Sequence, residues 1–131
     1  MKRVFCLMIL LPLLLSLCGC SATQLEAGAG VELHFVYGDK EIHATLTSEE
    51  AAQVIEILDG RAYRSIWDGI PSCGFDENIC LTVNGHSYAI ACDTCGVVQD
   101  LGNLRYFSIS QEGIDHIHAI FETYGAHFPC I

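Results

Sequence analysis

Basic side chains are scarce in this chain of 131 residues. Lysine and arginine together number 6, against 16 aspartates and glutamates, which gives a formal net charge of −10 at pH 7. Two of the basic residues, Lys2 and Arg3, stand at the start, so residues 20–131 alone carry a net charge of −12. A surface of this sign repels phosphate backbones and anionic headgroups. We therefore expect no nucleic-acid partner, and cationic or neutral partners remain open.

Motifs of the familiar catalytic sites are also lacking. The chain contains no G-x-S-x-G nucleophile elbow, no H-E-x-x-H zinc helix and no phosphate-binding P-loop. Its acidic residues are scattered, and among so many of them pairs of carboxylates arise by chance. We therefore predict no catalytic residue and no cofactor, and the sequence favours a binding domain over an enzyme.

The chain has no apolar run long enough for an ordinary membrane-spanning helix. The longest run, residues 4–17, is interrupted by Pro12 and Ser16 and follows Lys2 and Arg3. As a helix it would reach about 21 Å, short of the roughly 30 Å hydrocarbon core of a bilayer. A basic start followed by a short apolar stretch is typical of a secretory signal peptide.

The signal peptide ends in a motif, Leu17-Cys18-Gly19-Cys20, that resembles the lipobox of bacterial lipoproteins. The resemblance implies cleavage after Gly19 and attachment of acyl chains such as palmitate to Cys20. Two such chains would hold the protein stably on a membrane. We predict a signal peptide over residues 1–19, a lipidated tether over 20–30 and one domain over 31–131. The protein would then be extracytoplasmic and anchored to a bacterial membrane. The alternative is a plain secretory signal with Cys20 as an ordinary cysteine.

Strand pairs are predicted from apolar residues that alternate with polar ones. Residues 31–37 and 40–46 flank Gly38-Asp39, and residues 78–83 and 86–92 flank Asn84-Gly85, both two-residue turns typical of hairpins. A further pair runs from Val97-Val98 to residues 104–109. Each hairpin then has one apolar face suited to a core.

Two helices follow from caps and spacing. Thr47 and Glu50 form a capping box at the first, which Gly60 ends, and the second begins at Ser110 and ends at Gly125. Each carries one apolar stripe. The simplest packing is an α+β, two-layer domain, with an antiparallel sheet of about five strands and two helices on one face.

Five cysteines are disulfide candidates, since disulfides are the default in a small extracytoplasmic domain. We expect one bridge between Cys73 and Cys80, worth about 2.5 kcal/mol by loop closure. We expect a second between Cys130 and either Cys92 or Cys95. The full candidate set is Cys73, Cys80, Cys92, Cys95 and Cys130.

Two alternatives give the cysteines a chemical role. Cys92-Asp-Thr-Cys95 has the C-x-x-C spacing of redox pairs, although it follows a strand instead of opening a helix. Together with Cys73 and Cys80 it could form a four-cysteine zinc site, although the six residues between Cys73 and Cys80 exceed the usual ligand spacing. The runner-up function is therefore metal binding or thiol redox chemistry at the envelope through Cys92 and Cys95.

His34 and His43 form a weaker candidate metal site. The register of the first hairpin places them directly opposite each other, flanked by Glu32 and Glu41. Two facing imidazoles can bind a divalent metal. Histidines on a wet strand face are more often simply solvated.

The second half of the chain brings a further resemblance. Residues 88–95, YAIACDTC, and 124–130, YGAHFPC, are similar to a group of small bacterial lipoproteins of unknown function. This resemblance implies no activity. We expect a lipid-anchored, disulfide-stabilised domain that binds something at the cell envelope, with an envelope protein as a candidate partner.

Overall fold

The structure, a computed structural model, describes residues 21–130. The predicted signal peptide 1–19 and the predicted lipidation site Cys20 lie outside the described residues. Within residues 21–130, no helix combines the length and hydropathy that a membrane span requires.

One antiparallel sheet of six strands and two α-helices make up the fold, which is α+β as predicted. The sheet has one strand more than the predicted five, and its order is β2-β1-β3-β4-β5-β6. The strands are β1 Val31–Tyr37, β2 Lys40–Thr45, β3 Ile79–Val83, β4 His86–Ile90, β5 Val97–Asp100 and β6 Arg105–Ser108. The helices are α1 Ser48–Leu58 and α2 Gln111–Thr123, and a short 3-10 helix spans Ile66–Asp68.

The predicted hairpin registers are confirmed. Tyr37 pairs with Lys40 across the first turn, and Val83 pairs with His86 across the second. Asn84 and Gly85 both have positive φ, 50° and 79°, which is the backbone that a two-residue hairpin turn requires. The third predicted pair is β5 with β6.

Both predicted helix starts are confirmed. The Thr47 hydroxyl accepts from Glu50 N at 3.2 Å while the Glu50 carboxylate accepts from Thr47 N at 3.0 Å, which completes the capping box of α1. Ser110 caps α2 by accepting from Gly113 N at 3.0 Å. The Tyr124 hydroxyl, just past α2, donates to Glu50 at 2.6 Å and ties the two helices together.

A single hydrophobic core takes in residues from the sheet and from both helices. The strand side chains in it come from one face of the sheet, because they are alternate residues such as Leu33 and Phe35 of β1 and Ile79 and Leu81 of β3. Its largest fully buried side chains include Phe107, Phe121, Leu33, Leu58, Ile79, Leu81, Ile90, Ile114 and Ile117.

Residues 21–25, predicted as part of a tether, lie against the domain. Thr23 is 2% exposed, and its hydroxyl donates to Leu58 O at 2.6 Å and accepts from Arg61 N at 2.8 Å. Its backbone N–H and C=O pair with Arg61 O and Gly60 N at 2.9 and 3.0 Å. We call residues 21–25 the N-terminal strap. These residues therefore pack against the domain and do not form a loose connection.

Replacing Thr23 by valine should destabilise the domain. The change keeps the shape of the side chain but leaves Leu58 O and Arg61 N without their partner, at a cost of about 1–3 kcal/mol. Urea unfolding should show the loss as a lower midpoint with an unchanged slope. Thr45→Val, at an exposed position, is the matched control and should change the free energy of unfolding by less than about 0.5 kcal/mol. Equal effects of the two substitutions would contradict the observed role of Thr23.

Candidate functional site

A disulfide joins the segment before β3 to the connection between β4 and β5. It links Cys73 to Cys95, with 5.9 Å between their Cα atoms. The backbones on either side are also joined, because Cys92 N donates to Gly74 O at 2.7 Å. The Asp93 carboxylate accepts from Cys95 N at 2.9 Å and from Gly74 N at 3.3 Å. The bridge therefore closes a contact that hydrogen bonds also hold.

The predicted Cys73–Cys80 bridge is wrong. Cys80 lies within β3, directly between His34 of β1 and Ala89 of β4, and is 6% exposed. Cys80 is therefore held inside the sheet, whereas Cys73 lies beside the loop that follows β4 and is bonded to Cys95 there. Short sequence separation favoured the wrong pairing, since loop-closure arguments carry no information on where the intervening chain runs.

Cys92 and Cys95 do not form the predicted redox pair either. Cys95 is bonded to Cys73, and Cys92 packs against the core, where Cys130 meets it. Cys130 N donates to Cys92 O at 3.0 Å. The expected bridge from Cys130 to Cys92 or Cys95 is not formed, because Cys95 is bonded to Cys73 and both Cys92 and Cys130 are free thiols. Cys130 does return to this region, where its neighbour is Cys92.

The Cys92 and Cys130 thiols are poor nucleophiles. Burial raises the pKa of Cys92, and the carboxylates of Asp76 and Asp93 raise it further. Burial, followed by the neighbouring Cys92, raises the pKa of Cys130 to about 12. A reactive thiol needs the opposite shift, because the thiolate is the attacking species. The local chemistry therefore favours a structural role for this pair.

One group of three potential metal ligands occurs in the described part of the chain. Cys73, Asp93 and Cys95 each place a ligand atom within 4.8 Å of the others. In the oxidised protein both sulfurs belong to the disulfide, and Asp93 accepts backbone N–H groups. Neither Cys80 nor Cys92 belongs to this group, so the predicted four-cysteine zinc site is not assembled.

His34 and His43 face each other as the hairpin register predicted. Their ring centroids are 4.1 Å apart in an edge-to-face arrangement, and His43 Nε2 lies 2.9 Å from a Glu41 carboxylate oxygen. With Glu32, Thr45 and Thr82 they line an open hollow on the sheet, on the side opposite the core residues. Metal binding at this pair stays a prediction.

A polar cluster that the sequence did not predict fixes Tyr63, in the connection between α1 and β3, against the sheet. The Tyr63 hydroxyl donates to the buried carboxylate of Asp100 at 2.6 Å, and burial is the main cause that raises the pKa of Tyr63. The Arg105 guanidinium lies 4.7 Å from the centre of the Tyr63 ring. Arg105 Nη1 also donates to the Ser21 hydroxyl, and Tyr63 N donates to Ser21 O at 3.3 Å. The N-terminal strap, the connection and β6 therefore meet at one place.

An exposed apolar patch lies next to this cluster. Ile66, Ile70 and Leu104 line one hollow, and Trp67 follows Ile66 in the 3-10 helix. The side chains of Ile66, Trp67, Ile70 and Leu104 are 80%, 89%, 84% and 67% exposed, and we call them the Trp67 patch. Single exposed apolar residues are ordinary, whereas a contiguous exposed apolar patch is a candidate interaction site. Composition alone could not reveal it, because the sequence did not indicate how residues 61–71 fold.

The Trp67 patch is held in a defined conformation. Ser65 and Asp68 form a capping box around the 3-10 helix, with Ser65 Oγ accepting from Trp67 N at 3.2 Å. Arg64 N donates to Tyr106 O at 2.7 Å and joins the segment to β6. Leu104 has φ +58°, in the left-handed region that favours glycine or asparagine. An exposed leucine in this strained position is consistent with a function for its side chain.

Comparison with known proteins gives no match. No protein-family model fits the chain, and no curated protein or solved structure is significantly similar to it.

The cysteine arrangement predicts which thiols react. In the native oxidised protein, peptide mapping should find Cys73 joined to Cys95. Iodoacetamide at pH 8 should label Cys130 at least about tenfold more slowly than an exposed cysteine, because its raised pKa leaves little thiolate. Mass spectrometry of timed samples measures both properties.

The same chain in concentrated urea is the control, since unfolding removes the burial that shifts the pKa. All free thiols should then react at similar rates. A native map that joins Cys73 to Cys80, or a Cys130 that reacts as fast in the folded protein as in urea, would show that the described arrangement is incorrect.

Proposed function

We propose that this chain is a lipid-anchored extracytoplasmic binding domain, a member of the bacterial lipoproteins, without a catalytic role. The observation that carries the proposal is the lipobox-like motif at residues 17–20 immediately ahead of a docked segment. Ser21, the residue after Cys20, is already hydrogen-bonded to Tyr63 and Arg105. A lipid on Cys20 would therefore hold the folded domain close to the bilayer.

The disulfide supports an extracytoplasmic location. Bridges such as Cys73–Cys95 persist in oxidising compartments and are rare where thiols are kept reduced. The bridge closes a contact that the Cys92–Gly74 and Gly74–Asp93 hydrogen bonds also hold, and covalent closure adds to the stability of this loop region.

We further infer that both helices lie on the core face of the sheet, because their buried residues share one core with the strands. This packing leaves the opposite face, around Glu32, His34, His43 and Thr45, open to a partner. Its acidic residues and the net charge of −12 favour an envelope protein that presents basic side chains.

The proposal predicts that both location and partner binding depend on Cys20. A photo-crosslinker at Thr45 in the full chain should capture one discrete envelope protein, and the mature protein should remain in the membrane fraction with acyl chains on Cys20. The Cys20→Ser variant should lose the acyl label and the membrane retention, and its crosslinked product should fall because the local concentration of the partner falls. Metabolic labelling with an alkyne fatty acid and intact mass measure the lipid.

Two controls make the experiment specific. A crosslinker at the exposed Glu56 of α1 should not give the same product, and Glu32→Gln combined with Glu41→Gln should weaken capture from Thr45 without changing membrane retention. Absence of acyl chains on the wild-type protein rejects the anchor. The proposed binding face is rejected if the same product forms from Thr45 and from Glu56 and if the two glutamine substitutions do not reduce it.

A further inference from the structure

The position of the Trp67 patch relative to the predicted anchor is the starting observation. Ser21 contacts Arg105 and Tyr63, and Leu104 and Arg64 are their neighbours along the chain. Ser21 directly follows the predicted lipidation site in the sequence. Acyl chains on Cys20 would therefore be attached one residue from a segment that contacts Arg105 and Tyr63.

The charges around the patch differ from those of the whole domain. Arg64 and Arg105 are two of the four basic residues in 20–131, and both line the hollow between Ile66, Ile70 and Leu104. The acid within the patch segment, Asp68, accepts from Ser65 N at 2.9 Å. The surface at the patch is therefore less acidic than the rest of the domain, and Arg64 offers it a positive charge for anionic headgroups, which repel the acidic remainder of the surface.

The side-chain types suit the boundary between water and lipid. Tryptophan is enriched at that boundary, where its ring lies among headgroups and its N–H stays hydrated. Transfer of isoleucine and leucine side chains out of water is favourable, and arginine can keep its charged end at the headgroups while its stem lies among apolar groups. Trp67 is 89% exposed in the domain alone, so its apolar surface is available for burial in a membrane.

We propose that the Trp67 patch is a membrane-contacting surface that inserts shallowly among anionic phospholipids next to the Cys20 lipid. The inference rests on the proposed lipid anchor. The lipid on Cys20 would attach the protein to the membrane, and the patch would set the orientation of the domain on it. Contact through the patch places β6 towards the bilayer and the β1–β2 hairpin, at the opposite edge of the sheet, towards the partner.

Trp67 provides the test, because it is the one tryptophan of the chain. The lipidated mature protein is reconstituted into vesicles of phosphatidylcholine and phosphatidylglycerol, with and without brominated acyl chains. We expect its emission to shift to shorter wavelength, and brominated lipid to quench it by roughly half, as for an interfacial tryptophan. The control reporter is Tyr37→Trp combined with Trp67→Phe. Tyr37 lies in β1, four strand spacings or about 19 Å from β6, and should show neither effect.

Charge variants separate the patch from the anchor. Arg64→Glu should reduce the quenching of Trp67 while the protein still floats with the vesicles, and Lys40→Glu, the same change of charge on β2, should leave the quenching unaltered. Emission typical of water from a protein that floats with the vesicles overturns the membrane-contacting surface and leaves the lipid anchor standing. A mature protein without acyl chains overturns both proposals. Unquenched Trp67 on vesicles, with an envelope protein captured by a photo-crosslinker at position 67, would make the patch a protein-docking surface and overturn the inference.

Discussion

The hydrogen bonds of Thr23 are the contact on which the arrangement of this protein depends. Its side chain and backbone make five hydrogen bonds to the segment from Leu58 to Arg61, at a position that is 2% exposed. Buried polar groups are costly when unpaired, so this set of partners specifies one position for the N-terminal strap. A flexible tether would leave the orientation of the domain free, whereas the docked strap gives Ser21 a defined position on the domain.

The strap also completes a sheet edge. Tyr63 bridges to Phe107 of β6, and Ala22 bridges to Ala62, so two short extended segments cover the outer side of β6. Covered edges protect a sheet from pairing with other chains. The contacts of Tyr63 and Arg64 with β6 also position the connection that contains Trp67. The same backbone contacts therefore cover the edge of the sheet and hold the Trp67 patch in place.

Local signals predicted most of the fold. The hairpin turns at Gly38 and Asn84 and the caps at Thr47 and Ser110 depend on residues close in sequence, and all appear as expected. Strand alternation predicted that His34 faces His43. Long-range choices were harder. Four of the five candidate cysteines, Cys73, Cys92, Cys95 and Cys130, converge on one region, and the correct pairing depends on the path of a connection with no periodic pattern.

The two candidate surfaces also differ in how far local signals predict them. The hollow lined by His34 and His43 depends on strand register, so the sequence could predict its residues. The Trp67 patch depends on a 3-10 turn, a left-handed leucine and the contacts of Tyr63 with Asp100, none of which has a periodic sequence signal. Ser21 was assigned to a loose tether because residues 21–30 are small and polar, yet one buried threonine is enough to dock the segment.

Amide hydrogen exchange of the N-terminal strap tests the central claim most directly. The measurement uses the mature protein, carrying the lipid proposed at Cys20, on vesicles and compares Thr23 N–H with the core amides of β3. The account predicts that the Thr23 amide, bonded to Arg61 O at 2.9 Å, is strongly protected and opens with the connection that carries Trp67. Exchange of Thr23 at the rate of an unfolded peptide, with the core still protected, would mean that the proposed anchor is joined by a free tether, and the fixed orientation proposed for the domain would be incorrect.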